Sequence, residues 1–389
     1  MRFAGRIAVV GDEAGLPYER PPLSKEFLSG EKVAEQIQIR PPAFWLSHQI
    51  DLLLGSRVFK VDPAAHAVSA DGRGTIKYAS LVWAAGGAPR QLSCQGHDVS
   101  GIHYIRTLVD VERLRAEMVT ARDVVIIGGG YIGLEAAAAL SKLGKTVTIV
   151  EALDRVLARV ACEEISDFYQ HEHREHGVGL HLGASATCIE ERNGRAIGVR
   201  LDSGAVLPAD LIIVGIGIVP AVEPLLKAGT LGSNGVDVDS YCRTNLPDVL
   251  AVGDCAAHIN SFAGDRRIRL ESVQNANDQA KVAASTIVGN GVPYSSVPWF
   301  WSNQYDLRLQ TVGFSGGYDQ VVVRGSPASR SFSAIYLRDG IVIALDCVNA
   351  TRDYVQGRAL VVGRARPDLS ALADCSVALR SLAGSTEAT

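Results

Sequence analysis

The chain has 389 residues and a mass of 41.3 kDa, beyond the size at which one hydrophobic core stops growing, so two or three domains are expected. With 47% hydrophobic and 21% charged residues it can bury a substantial core, which excludes general disorder. Lys plus Arg number 38 against 42 Asp plus Glu, a net charge of -4, so the overall balance offers no case for nucleic acid or an anionic membrane as partner.

The first residues, MRFAGRIAVVGDE, carry charges inside any apolar stretch, so no secretory signal is read there. Ile7 to Val10 reads as a strand and aligns with Val147 to Val150 further on, which makes the first three residues the last turn of a helix. The strand and glycine turn that open such a unit, about 20 residues, are expected before Ile7 and are not found there. Two apolar strands, Leu81 to Gly87 and Leu211 to Gly217, end in glycine pairs and are expected to cross between domains at a ligand cleft. The longer apolar run, Leu211 to Val219, is far short of the roughly 20 residues of a spanning helix.

Between them lies the most informative segment. A β-branched run from Val124 leads into Gly128-Gly129-Gly130-Tyr131-Ile132-Gly133, an alanine-rich helix to Leu143, a stop at Gly144 and a second strand ending on Glu151. Strand, glycine turn, helix, strand and acid follow in the order a dinucleotide fold demands. Gly128 is read as the tight turn, Gly130 as the place where backbone reaches a pyrophosphate, and Gly133 as the point where helix and strand pack closely. The helix N-terminus supplies amides and a positive dipole end. Glu151 is expected to accept hydrogen bonds from the adenosine ribose and to repel a 2'-phosphate, favouring NADH over NADPH, with Arg155 and Arg159 softening that preference.

Later, the run Val249 to Val252 is a buried strand ending in Gly253, which leaves room for a ligand, and Asp254, which can accept from a hydroxyl or cap the next helix. After Pro298 alternating polarity predicts an antiparallel sheet, then a helical tail from about Asp353 and frayed residues after Leu382. Trp299 and Trp301 share one face of the first strand, and Trp299 is read as a core anchor. Seven cysteines without a CxxC read as buried thiols in a reducing compartment, with neither a zinc nor an iron–sulfur ligand set. His171, His173 and His176 cannot converge on a metal from one helix and read as a solvated helix end.

The segments Leu16-Pro-Tyr-Glu-Arg-Pro-Pro-Leu-Ser-Lys25, Gly128 to Glu135, Ala251 to Asp254 and Pro298 to Gln304 together resemble the FAD-dependent ferredoxin and rubredoxin reductases of bacterial oxygenase systems, cousins of glutathione reductase. The resemblance covers nearly the whole chain. It implies an α/β fold with two dinucleotide-binding domains of glutathione-reductase type and a C-terminal α+β domain with an antiparallel sheet. It implies FAD and NAD(H) as cofactors and a ferredoxin of 2Fe-2S type, or rubredoxin, as partner. Lys25 would sit beside the flavin and pair with Glu135, and Trp301 would cover the isoalloxazine ring. Asp12, Arg20, Ala85, Gly86, Arg106, Gly253 and Asp254 would hold FAD. Gly128, Gly130, Tyr131, Ile132, Gly133, Glu151, Arg159, Gly215, Gly217 and Glu271 would bind NAD, Glu271 near the nicotinamide.

Residues 1–105 and 230–297 are expected to form the FAD-binding domain, 106–229 the NAD-binding domain and 298–389 the C-terminal interface domain. Without its opening strand and turn the chain is expected to bind FAD poorly or fold badly. No cysteine precedes Cys94, which disfavours the dithiol chemistry of an NADH-dependent disulfide or peroxide reductase on the same scaffold. A non-catalytic NAD-binding module is the other alternative. Four arginines (Arg352, Arg358, Arg364, Arg366) against Asp353 give a basic stretch suited to an acidic ferredoxin. The expected protein is cytoplasmic, a monomer or homodimer, with no metal site.

Overall fold

The computed structural model describes residues 5–384; the expected helical turn at the first three residues lies outside them, as do residues 385–389 of the expected frayed tail. The chain forms two compact units, Met1–Arg20, Ala34–Ala88 and Ile218–Pro298 in one, Pro21–Val33, Pro89–Gly217 and Trp299–Thr389 in the other.

In the first unit Ile7–Val10 pairs in parallel with Ile50–Leu53, and Leu81–Trp83 in parallel with Val249–Ala251. Val58–Asp62, Ala67–Ala70 and Gly74–Lys77 make an antiparallel meander. Val61, Val68, Trp83, Leu225, Val236 and Val249 share one core, and the Trp83 indole N–H is satisfied by the carbonyl of Ala221 at 2.8 Å. The helix Val273–Ile287 starts where Ser272 caps the amide of Asn275 at 3.1 Å.

The second unit is built on a five-stranded parallel sheet in the order Gly179–Leu182, Thr146–Glu151, Asp123–Ile127, Leu211–Val214, Ile102–Tyr104. Strands buried on both faces read as continuous apolar runs, which is why VVII and LIIV show no alternation. Its C-terminal part is an antiparallel sheet in the order Trp299–Gln304, Leu307–Gly313, Ile341–Val348, Ser331–Arg338, Gln320–Ser326, followed by the helix Thr351–Val362. The fold class is the expected one. Arg324, 3% exposed, fastens the last segment: its guanidinium meets Asp353 at 3.0 Å and donates to the carbonyls of Leu372, Asp374, Cys375 and Val377.

Three local expectations need correction. Cys375 is exposed and Cys94 and Cys188 are half-buried, so only Cys162, Cys242, Cys255 and Cys347 are buried thiols. His173 is not a solvated helix residue but completely buried, because the helix Glu163–Glu175 carries it against the C-terminal sheet. Trp299 is only partly buried, its ring 5.6 Å from that of Trp301.

Asp346 lies inside the C-terminal sheet, 4% exposed, and accepts from the Tyr336 hydroxyl at 2.5 Å. Burial pushes its carboxyl up to about 7, against the opposing pull of that hydrogen bond. The folded state therefore keeps the proton that the unfolded chain loses near pH 4. Stability held by this proton is complete below about pH 4 and drains away as the pH climbs to about 7. Asp346→Asn is expected to flatten that slope, measured as urea midpoints at pH 5 and pH 7.5. An unchanged slope would mean that Asp346 is ionised in the folded protein throughout.

Candidate functional site

The turn between Asp123–Ile127 and the helix Tyr131–Lys142 shows three separate needs for glycine. Gly128 has φ +114, and a Cβ there would lie 2.4 Å from the carbonyl oxygen of Gly215. At Gly133 a Cβ would lie 2.0 Å from the carbonyl oxygen of Gly128, so the close packing is helix against turn, with the Ile126 side chain of the strand further off at 3.4 Å. At Gly130 nothing lies within 4 Å of where a Cβ would be. That open space sits at the N-terminus of a 12-residue helix, whose first amides have no intrahelical acceptor. A pyrophosphate fits there by charge and by room.

Glu151 ends the neighbouring strand, and its carboxylate folds onto this turn. Oε2 accepts from the amide of Gly129 at 2.6 Å and Oε1 from the amide of Leu153 at 2.9 Å. The middle glycine, Gly129, was not singled out by the sequence, yet a Cβ there would stand 3.1 Å from Glu151 Oε2. Arg155 is not available to a nucleotide: its guanidinium is spent on Ser166 Oγ at 2.6 Å and on the carbonyls of Ala158, Ala161 and Cys162. Arg159 and Ile132 are exposed, and Gly217 has φ +97 just past Gly215. Arg106 is half-buried beside Thr107, whose side chain caps the next helix, Leu108–Met118.

One turn into the same helix, Glu135 is 2% exposed and is met by Lys25 Nζ at 2.6 Å. Ser24 Oγ donates to the same oxygen, Oε2, at 2.7 Å, and Ser302 Oγ donates to Oε1 at 2.6 Å. The PPLS turn, Pro21–Ser24, and the short helix Glu26–Ser29 place Ser24 and Lys25 on the carboxylate, with Leu23 and Phe27 buried beneath them. Strand spacing accounts for the third donor. The Tyr131 ring lies tilted against that of Phe300, centroids 4.7 Å apart, and Glu135 meets Ser302. Four helical residues rise about 6 Å and two strand residues about 6.6 Å, so the two elements stay in step. Trp301, on the other face of that strand, is half-buried. Lys25 Nζ has one further partner, the carbonyl of Pro21 at 3.4 Å, which leaves the third ammonium hydrogen for an acceptor of the isoalloxazine kind.

In the first unit Asp12 is exposed, and the neighbouring Glu13 takes the Arg20 guanidinium at 2.6 Å. Tyr18 hydroxyl donates to Glu13 and lies 3.1 Å from Arg20. Burial lowers the Arg20 pKa, but Tyr18 and Glu13 outweigh it and the net shift is upward. Ala85 is exposed and Gly86 has φ +62. Gly253, φ +75, is pinned by its amide to Gln279 Oε1 at 2.7 Å, and Gln279 in turn meets His258 Nδ1 at 3.2 Å. Burial holds that imidazole down to about 4. The Asp254 carbonyl takes Arg269 at 2.7 Å, and Arg269 also pairs with Glu271 at 2.7 Å, so Glu271, expected at the nicotinamide, has a partner of its own. Gly86 and Gly253 have the backbone freedom that an FAD chain lying close to them needs.

A family model described as pyridine nucleotide-disulphide oxidoreductase matches residues 1–280, and one described as reductase C-terminal matches residues 299–383. The chain belongs to the pyridine nucleotide-disulphide oxidoreductases. The 5,5'-dehydrodivanillate O-demethylase ferredoxin reductase subunit of Sphingobium sp. (strain NBRC 103272 / SYK-6) is 55% identical over 98% of this chain and 93% of its own. A ferredoxin–NAD(P)(+) reductase of Sphingomonas sp is 58% identical over 93% of this chain and 88% of its own. The reductase of the covalent putidaredoxin reductase–putidaredoxin complex superposes with a TM-score of 0.94 at 37% identity, covering 99% of this chain and 93% of that one. The family expected from PYERPPLSK, GGGYIGLE, AVGD and PWFWSNQ is thus the family found, and FAD and NAD(P)H are its cofactors. For an oxidoreductase with disulphide in its family name, this chain keeps all seven cysteines free, and none precedes Cys94.

Among the residues of these sites not read from the sequence are Ser24, Glu13, Gly129, Ser302 and Gln279. Glu13 was hidden by Asp12 beside it, and a second acid in the same loop was the available signal. Gly129 occupies the x of GxGxxG, where the motif asks for nothing. Ser302 lies in the quoted WFWSNQ, where period two puts it on the face opposite Trp301. Gln279 left no signal, because a buried amide in a helix looks like any polar residue.

Proposed function

We propose that the chain is an NADH-dependent flavoprotein reductase that passes electrons through FAD to a small iron–sulfur ferredoxin, or rubredoxin, of an aromatic-ring oxygenase system. The observation that carries this reading is the pairing of Lys25 with the buried Glu135 of the helix that opens at the nucleotide turn. FAD, when bound, supplies the chemistry of accepting a hydride and releasing electrons one at a time. We assign Lys25 the role of presenting positive charge to the flavin ring, which stabilises its reduced state, and Glu135 the role of fixing Lys25. Trp301 covers the ring, while Arg20 and Asp254 serve the FAD chain. Residues 106–229 take the NADH. The relatives named for ferredoxin reductase support an iron–sulfur acceptor, and exposed Arg352, Arg358, Arg364 and Arg366 suit an acidic one. We read the protein as cytoplasmic; among the described residues no helix is long and apolar enough to cross a membrane.

Protein that has taken up FAD is expected to reduce a 2Fe-2S ferredoxin with NADH and to leave oxidised glutathione and hydrogen peroxide unreacted. Turnover of either of those without ferredoxin would replace this reading by the disulfide or peroxide reductase.

Glu151→Ala is expected to narrow the NADH-over-NADPH preference by about tenfold, about 1.4 kcal/mol. Part of the carboxylate is already engaged by the Gly129 and Leu153 amides, which limits what it offers the ribose. The ratio of kcat/KM for the two nucleotides reads this out, and an unchanged ratio removes Glu151 from nucleotide choice.

A further inference from the structure

The hydrogen bonds at Glu135 do not stop at the ion pair. Gln304 Nε2 lies 3.2 Å from Ser302 Oγ, Gln304 Oε1 lies 2.9 Å from His173 Nε2, and His173 Nδ1 lies 2.9 Å from the Tyr305 hydroxyl. His173 and Ser302 are fully buried and Gln304 is 1% exposed. The direction of every bond follows from the end at Glu135. A carboxylate facing a lysine at 2.6 Å can only accept, so Ser302 donates to it and has no second proton to give. Gln304 must therefore present its NH2 to Ser302 and its carbonyl to His173. The carbonyl requires a proton on His173 Nε2, which leaves Nδ1 as acceptor for the Tyr305 hydroxyl. Burial keeps the imidazole neutral, its pKa pulled down to about 4. Four bonds in series all donate toward Glu135, an arrangement in which each polarises the next.

An amide nitrogen cannot hand a proton on, so Gln304 interrupts any proton relay. The chain orients; it does not conduct. We propose that His173 and Gln304 are positioning residues for the flavin-side ion pair: through Ser302 they fix the Glu135 carboxylate and with it the direction of the Lys25 ammonium. This rests on the reading that Lys25 serves the flavin. Around His173 stand His176, stacked on Tyr305 at 3.7 Å, Glu172, paired with Arg330 at 3.0 Å, and Lys142, bound to the Tyr305 carbonyl at 3.3 Å. None of them is hydrogen-bonded to the His173 imidazole.

The test uses the FAD-loaded full chain. Nitrogen-15 NMR of the histidines is expected to show His173 as a neutral Nε2-protonated tautomer from pH 5.5 to 8 in the unaltered protein, a readout that needs neither turnover nor a variant. Gln304→Leu is expected to remove that tautomer preference. The same variant should slow flavin reduction by NADH about tenfold in stopped flow and leave the dissociation constant of NADH unchanged, with the flavin potential moving more negative. A charged or Nδ1-protonated His173 in the unaltered protein overturns the proposal. So does an unchanged reduction rate in Gln304→Leu, provided Lys25→Met is slow; if Lys25→Met is as fast as the unaltered protein, the flavin reading of Lys25 falls and the proposal falls with it.

Discussion

Replacing Lys25 with methionine is expected to destabilise the fold by about 3–5 kcal/mol, because it leaves the Glu135 carboxylate, 2% exposed, without its counter-ion. Methionine keeps most of the lysine stem, so packing over Pro21 to Phe27 changes little and the loss is mainly electrostatic. Ser24 and Ser302 still donate to the stranded carboxylate, which places the expected loss at the lower end of that range. The double variant Lys25→Met, Glu135→Gln removes both charges and is expected to recover most of the stability without recovering flavin reduction. Urea unfolding of the three proteins separates the two effects. If the single variant is as stable as the unaltered chain, the pair is not carrying a desolvated charge.

The second large effect falls at the glycine turn. Alanine in place of glycine inside a helix ordinarily gains about 0.5–1 kcal/mol. At Gly133 the sign reverses, because the new Cβ would stand 2.0 Å from the Gly128 carbonyl, a backbone atom that cannot rotate away. Gly133→Ala is expected to push the helix off the glycine turn, lower the melting temperature by several degrees and abolish NADH binding. Gly130→Ala meets nothing within 4 Å and has ordinary φ -81, so its stability stays within about 0.5 kcal/mol. It does put a methyl where the pyrophosphate approaches, and NADH is expected to bind at least tenfold more weakly. Calorimetry with NADH on both variants checks the pair, and Gly130→Ala binding as well as the unaltered chain would move the nucleotide off this turn.

What could be read in advance depended on how far apart the cooperating residues lie. Strand, turn, helix, strand and acid from Asp123 to Glu151 are one contiguous stretch, and each glycine has a local steric reason, so the sequence carried them plainly. The C-terminal strands Trp299–Gln304 and Leu307–Gly313 announced themselves by alternation, whereas Ser331–Arg338 and Ile341–Val348 are buried nearly end to end. Lys25 and Glu135 are 110 positions apart, and no periodicity links them; only the resemblance joined them. The burial of His173 was misread because its neighbours in the helix, His171, Arg174 and Glu175, are polar, and the sheet that covers it comes more than a hundred residues later. Arg324 could not be distinguished from any strand arginine, since its four carbonyl acceptors lie in a segment after Leu369 that has no pattern of its own.

The strand Trp299–Gln304 keeps two kinds of residue on opposite faces. Its even positions, Phe300, Ser302 and Gln304, look inward to Tyr131, Glu135 and His173. Its odd positions, Trp299, Trp301 and Asn303, are partly or wholly open to solvent. Parity therefore separates what is fixed from what is editable. Trp301 excepted, since it is assigned to the flavin ring, an engineer wishing to re-target this reductase to another acceptor can vary Trp299 and Asn303 and leave the register that holds the buried carboxylate untouched.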